Sequence, residues 1–160
     1  MANFSIIYEQ YVLKVYRFLL ALTENETQAE ELTQQTFYKA LLHIDRFEER
    51  CSLYTWLCQI GKNEWFLECR RKKPVSFETV GEMPDENSME ENLIQKEQLA
   101  AAKRSLLRLP EPYRDVLILR IYGDLPFAEI AASFQKSESW AKVTFLRGKE
   151  KLKKKMEEMR

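Results

Sequence analysis

Pro126-Phe-Ala-Glu-Ile-Ala-Ala-Ser-Phe-Gln-Lys-Ser-Glu-Ser-Trp-Ala-Lys-Val-Thr-Phe-Leu-Arg-Gly-Lys149 holds two helical periodicities separated by the three residues Gln135, Lys136 and Ser137. The first segment, Pro126 to Phe134, is short. The second runs from Glu138 to about Glu157. Ala131 is small where two helices must cross closely, and Ile130, Phe134 and Val143 or Phe145 can form their shared core. Ser137 stands where an N-cap is wanted, because a serine hydroxyl accepts from the orphan N–H groups of a first turn. This is the grammar of a helix-turn-helix, whose second helix enters the major groove. The spacing alone fits an ordinary helical corner equally well. Lys142, Arg147, Lys149, Lys151, Lys153, Lys154 and Lys155 shift the balance, since they lie on the helix that would face DNA.

Outward from this stretch the periodicity stays helical. Upstream, Tyr113, Val116, Leu117 and Ile121 form an apolar stripe. Pro112 suits its first turn, and Gly123 is the expected C-terminal stop. Before it, Ser88-Met-Glu-Glu91 reads as a capping box opening a helix with Leu99, Ala102 and Leu106 on one side. In the other half, Phe4, Tyr8, Tyr11, Val12, Val15, Phe18, Leu19 and Leu22 recur at three- and four-residue steps. Thr27-Gln-Ala-Glu30 reads as another capping box, followed by Ala29, Leu32, Thr36, Phe37, Ala40, Leu41 and Ile44. Residues 45–51 lose the pattern and read as a loop. Ser52 can cap a third helix with Leu53, Trp56, Leu57, Ile60 and Leu67 on its apolar stripe. No strand-like alternation of useful length occurs. The expected fold is all-α: two small helical domains, residues 1–74 and 93–160, joined by a flexible acidic linker at 75–92.

The net charge is zero, from 25 basic and 25 acidic side chains, which at first argues against nucleic acid as a partner. Resolved along the chain, the balance is −3 over residues 1–45, +3 over 46–73, −6 over 74–95, +1 over 96–141 and +5 over 142–160. Two basic segments thus lie on either side of an acidic tether. The apolar runs are too short to span a membrane. The N-terminus has no basic n-region before an apolar one, so no signal peptide and a cytoplasmic location are expected. Cys51, Cys58 and Cys69 form no C-x-x-C, and His43 is the single histidine; free thiols, buried or half-buried, are expected and a metal site is not. With no Gly-rich phosphate loop and no nucleophile motif, nothing offers catalysis, and neither a cofactor nor a small-molecule substrate is expected.

The second basic segment is also aromatic. Tyr54, Trp56, Trp65 and Phe66 are interleaved with Lys62, Arg70, Arg71, Lys72 and Lys73. Aromatic platforms beside cations hold unstacked bases, at about 1–3 kcal/mol per stack. Trp56 fits the apolar stripe and reads as core. Trp65 and Asn63 fit it less well and are the better candidates for base contact.

The order of these motifs resembles a known family. Ala29-Glu-Glu-Leu-Thr-Gln-Gln-Thr-Phe37 closely resembles the A-E-D-L-x-Q-E-x-F run of bacterial sigma factors. Phe47, Tyr54-Thr-Trp-Leu57, Ile60-Gly-Lys-Asn63 and Arg70-Arg71 follow that family's next pattern. Leu109-Pro110, Arg114-Asp-Val-Leu117, Leu119-Arg120 and Glu129-Ile-Ala131 match its C-terminal domain. Size and two-domain layout are similar to the extracytoplasmic-function group. The resemblance implies that residues 29–44 grip the beta-prime clamp of core RNA polymerase, with Leu32, Gln34, Gln35 and Phe37 at contact or support positions; Leu32 and Phe37 fit the core equally well. It implies that loop 47–53, with Phe47, Glu48 and Arg50, captures a flipped base of the minus-10 element. Lys62, Asn63, Trp65, Arg70 and Arg71 would then face the melted strand. Ser139, Trp140, Lys142, Val143, Thr144, Arg147 and Lys149 would read the minus-35 element of promoter DNA. It further implies a contact with the beta flap, a linker in the polymerase's RNA channel, and control by an anti-sigma factor, often membrane-anchored in the family.

The departures are specific. Where the family has R-G-[DE]-[SA] after the loop Phe, this chain has Glu48-Glu-Arg-Cys51, so the base preference does not transfer. Where T-V-K-S-R is usual, it has Trp140-Ala-Lys-Val-Thr144. Trp140 either packs on DNA or braces its helix. Gln135 stands where a glycine is common, so a left-handed backbone there would cost about 1 kcal/mol or more. The competing expectation is a free-standing helix-turn-helix regulator with an N-terminal sensing or dimerisation domain.

Overall fold

The computed structural model describes residues 3–71 and 89–158. Its elements are α1 (Phe4–Thr23), α2 (Glu26–His43), a 3-10 turn (Ile44–Arg46), α3 (Leu53–Arg71), α4 (Met89–Leu107), α5 (Tyr113–Ile121), α6 (Phe127–Ser133) and α7 (Glu138–Glu158). The architecture is all-α, as expected. Most of the acidic tether, including Ser88 of the proposed capping box, lies outside the described residues. Helix α4 begins at Met89, inside the stretch assigned to the tether. None of the described helices is long and apolar enough to cross a membrane.

Helices α1, α2 and α3 form the first bundle. The stripe predicted for α1 is buried at Val15, Phe18, Leu19 and Leu22, each such side chain being worth about 1.5–3 kcal/mol on leaving water. Asn3 caps α1 by accepting from the Ser5 N–H at 3.1 Å. The α2 start differs from the expectation. Asn25, not Thr27, is the cap and accepts from the Gln28 N–H at 2.9 Å. An asparagine two residues upstream competes for the same orphan donors, and Thr27 falls inside the first turn. Thr33 and Thr36 are buried with their hydroxyls donated to Ala29 O and Leu32 O, both at 2.7 Å, so neither leaves an unmet polar group. A Cβ at Gly61 of α3 would meet Thr36 Oγ1 at 3.2 Å and Leu19 at 3.3 Å. Glycine there sets how closely α3 approaches its two neighbours.

Helices α4 to α7 form the second bundle around Leu106, Leu109, Val116–Leu119, Leu125, Ile130 and Ala141. Gly148 repeats the device of Gly61: a Cβ would meet Leu117 at 3.2 Å and Tyr113 at 3.4 Å. Gly123 does not act as a left-handed stop. Asp124 takes the positive φ, at 52°. Glycine serves at 123 because a Cβ would lie 2.7 Å from Leu119 O. The two bundles pack against each other. Lys103 of α4 donates to Leu22 O at 2.7 Å and Ala21 O at 3.2 Å, placing a cation on the carbonyl end of α1.

Candidate nucleic-acid interface

The α6–α7 pair has the predicted local form. Ser137 Oγ accepts from the Trp140 N–H at 3.1 Å. The α6 end is closed by Phe134 N to Ala131 O at 3.1 Å and Lys136 N to Ala131 O at 2.9 Å. Gln135 holds the left-handed position at φ 57°, so the turn keeps its geometry without glycine. Ile130, Ala131 and Ala141 are buried between the helices. Phe127 meets Phe145 edge-on at 5.3 Å, and Phe134 meets Trp140 at 5.4 Å. Phe145, not Val143, therefore supplies the shared core; Val143 is exposed. Trp140 is half-buried and braces its helix against Phe134. Ser139, Lys142, Val143, Arg147 and Lys149 share the exposed side of α7. Thr144 is 5% exposed and faces inward, a correction to its expected place at the DNA: it sits three residues after Ala141, on the helix side that packs on the bundle. Lys142 has a loose partner in Glu138 at 3.6 Å, with both ends exposed.

The second basic segment starts as expected and then departs from the expectation. Ser52 caps α3, accepting from the Thr55 N–H at 3.2 Å. Phe47 reaches back from the loop onto Trp56, centroids 5.2 Å apart. Trp56 is half-buried while Trp65 is 4% exposed beside Phe66. The expectation for the two tryptophans is thus reversed. The reason lies in the helix period: Trp65 follows Leu57 and Gly61 at four-residue steps, on the line that packs against α1 and α2. Trp56, one residue off that line, borders the loop. Leu67, placed on the apolar stripe, is exposed.

Lys62 is the larger departure. Expected on an open DNA face, it is 1% exposed and donates to Asp115 Oδ2 at 2.9 Å. Burial pulls its pKa below the ordinary lysine value, while Asp115 pushes the other way. Removing one partner of such a pair leaves an unpaired buried charge, at about 3–5 kcal/mol. Asn63, Arg70 and Arg71 remain exposed. Phe47, Glu48, Arg50, Trp56, Lys62 and Asn63 border a cleft of about 680 Å³ whose opposite wall is Asp115, Phe134 and Gln135. Within the loop Arg50 pairs with Glu48 at 2.6 Å, and Glu49 takes a left-handed φ of 57°. None of the three cysteines forms a disulfide; Cys58 is buried and Cys51 and Cys69 are half-buried. Burial pushes the Cys58 thiol up to about 12.

On α2, Gln34 and Gln35 are exposed, whereas Leu32 and Phe37 are core. Phe37 is clasped by Phe4 and Tyr8 rings at 6.4 and 5.0 Å. Tyr38, Leu41 and Leu42 are at least half exposed instead. They extend the Gln34–Gln35 face by helical steps of three and four. Leu41, expected on the same stripe as Leu32 and Phe37, therefore lies on the exposed side instead.

The region 2 model of the sigma-70 family matches residues 7–75, and its region 4 model matches residues 99–152. The chain is 29% identical over 150 residues to the ECF RNA polymerase sigma factor SigM of Bacillus subtilis, covering 92% of this chain and 91% of that protein. Among solved structures, it resembles CnrH in complex with the cytosolic domain of CnrY, with a TM-score of 0.59 at 19% identity, covering 95% of this chain and 88% of the other. It also resembles the sigma factor RpoE of Bartonella quintana, with a TM-score of 0.56 at 21% identity and 98% of both chains covered. With both halves matched in order and nearly the whole length aligned, the chain belongs to the sigma-70 family, in its extracytoplasmic-function group.

Proposed function

We propose that this sigma factor recruits core RNA polymerase, reads a duplex minus-35 box with α7, and holds the melted minus-10 strand along loop 47–53 and α3. Residues 1–74 serve the clamp and the minus-10 strand, residues 93–160 the minus-35 duplex, and residues 75–92 the connection. The observation that supports this most is the exposed Lys142–Arg147–Lys149 side of α7, backed by a packed helix-turn-helix, in one chain with the Phe47–Trp56 cleft. Binding energy performs the work. Flipping a base out of the stack costs a few kcal/mol, which a stacking contact on Phe47 or Trp56 and the cations Arg70 and Arg71 offset. Each phosphate neutralised steepens the fall of affinity with salt, by about 0.9 in log–log slope on duplex and about 0.7 on single strands. The Gln34–Gln35–Tyr38–Leu41–Leu42 face suits a helical clamp element, because apolar side chains there are already in water.

The protein is a cytoplasmic, non-enzymatic initiation factor in this reading. The Bartonella relative was solved with the anti-sigma factor NepR, and an anti-sigma partner is proposed here too, covering the same apolar α2 face. Family membership removes the free-standing regulator as an alternative. The test is transcription in vitro from a genomic promoter pool with core polymerase, with and without the chain. Promoter-specific transcripts that depend on the chain are expected. Their absence, with the chain alone protecting duplex DNA as a dimer, would overturn the proposal.

A further inference from the structure

The outer side of α7 carries more than cations. At about 100° per residue, Ala141, Thr144 and Gly148 fall on one line of the helix, and that line is buried. Ser139, Val143, Leu146 and Glu150 fall on the opposite line, and all four are exposed. Two of them are apolar: Val143 is 43% exposed and Leu146 is 58% exposed. Neither belongs to the packed core. A lone exposed leucine is ordinary. A valine and a leucine one turn apart on the crest of a helix form a patch, and the charges around it give the patch a setting. Lys142, Lys149 and Lys153 lie along one flank of the crest, and Arg147 and Lys154 along the other, all exposed. Trp140 is not part of the crest, since its ring is held against Phe134 at 5.4 Å.

An α-helix with its side chains is about 10–12 Å wide, and the major groove is about 12 Å across. Seated there, α7 sets a row of cations against each phosphate wall and turns its crest to the base edges. On that floor the bases offer donors and acceptors at every pair, and one apolar group, the C5-methyl of thymine. Valine and leucine have nothing to exchange with a donor or acceptor, and covering one without replacing its water is costly. We infer that Val143 and Leu146 read thymine methyls in the minus-35 duplex, so that this chain selects A·T pairs there by apolar contact. The inference rests on the reading of α7 as the minus-35 helix. Three residues rise about 4.5 Å along a helix, against about 3.4 Å per base step, so the two thymines lie within two base pairs of each other.

The experiment uses holoenzyme assembled from core polymerase and the full chain, on promoters recovered from the in vitro transcription pool. Each thymine of the minus-35 box, on either strand, is replaced in turn by deoxyuridine, which removes only the C5-methyl. Competition binding reads affinity. Wild type should lose about fourfold at one or two thymines no more than two base pairs apart, the worth of one methyl group leaving water. Leu146→Ala should abolish the loss at one of them and Val143→Ala at the other, whereas Leu146→Met should keep it. Both positions are exposed, so circular dichroism should show unchanged helicity; the wild-type comparison decides whatever a variant does to the fold. No thymine sensitive to methyl removal, a box without A·T pairs, or sensitivity unchanged in both alanine variants would overturn the methyl contact. Those results, with binding still lost when the whole box is scrambled, leave the minus-35 reading intact. Binding indifferent both to scrambling and to Arg147→Ala/Lys149→Ala overturns that reading and the methyl contact together.

Discussion

Helices α3 and α7 are of similar length and both carry lysine and arginine, yet they treat these cations in opposite ways. On α7, Lys142, Arg147 and Lys149 are exposed, Lys142 with an exposed glutamate 3.6 Å away and Lys149 over the edge of the bundle at Phe145. On α3, Lys62 is sealed against Asp115, while Arg70 and Arg71 are open. The difference follows from packing. Helix α7 is amphipathic with one side against its bundle. Helix α3 packs on α1 and α2 and, from another side, on α6 and its neighbours. A cation on a helix covered from two sides must find a carboxylate or lose its charge. Residue type therefore predicts a nucleic-acid face only where the helix has a free side.

The largest expected effect separates the two tryptophans of α3. Trp65→Ala should cost about 3–5 kcal/mol of unfolding free energy in urea, as for other buried aromatics. Trp56→Ala, at a half-buried ring, should cost roughly half of that or less while weakening strand binding. The opposite ranking would break the assignment of Trp65 to the core. Next come the matched close approaches. Gly61→Val on α3 and Gly148→Val on α7 each force a side chain into contacts already at 3.2 Å, and each should lower stability by about 1–3 kcal/mol. If only one does, the helices are not set by the same device.

Much of this was legible beforehand because local rules act alone on local features. The α1 stripe and the Ser52 and Ser137 caps follow from side chains and backbone within one turn, whereas Gln135 takes the left-handed φ that its residue type disfavours. The burial of Lys62 was not legible, since its partner lies 53 residues away. Neither was the exchange of roles between Trp56 and Trp65, which depends on which line of α3 meets α1. Leu32 and Phe37 left core and surface open for a similar reason. Both belong to an apolar stripe, and only the packing of Phe4 and Tyr8 over Phe37 decides between them.

Smaller effects sharpen the contrast further. Arg147→Ala/Lys149→Ala should flatten the salt dependence of duplex binding by about 2 in log–log slope, if each meets one phosphate. An unchanged slope would remove them from the DNA face. Gln135→Gly should stabilise the chain by about 1 kcal/mol, since it relieves a positive φ, and Gln135→Ala should not; calorimetry reads both. The last effect concerns pH and is absent near neutrality. Cys58 holds its proton to about 12 when folded, against 9.0 for the free thiol. Its contribution to stability is thus complete below pH 9 and is lost as pH rises toward 12. In the native chain at pH 9, iodoacetamide should modify Cys58 more slowly than the half-buried Cys69; equal rates would contradict the burial.

The division of labour between α3 and α7 is tested most directly by permanganate footprinting of promoter complexes, with duplex minus-35 binding measured in parallel. Arg70→Ala/Arg71→Ala should reduce the reactivity of melted thymines far more than it weakens minus-35 binding. Arg147→Ala/Lys149→Ala should weaken minus-35 binding first. Equal loss of both activities in both variants would contradict the account.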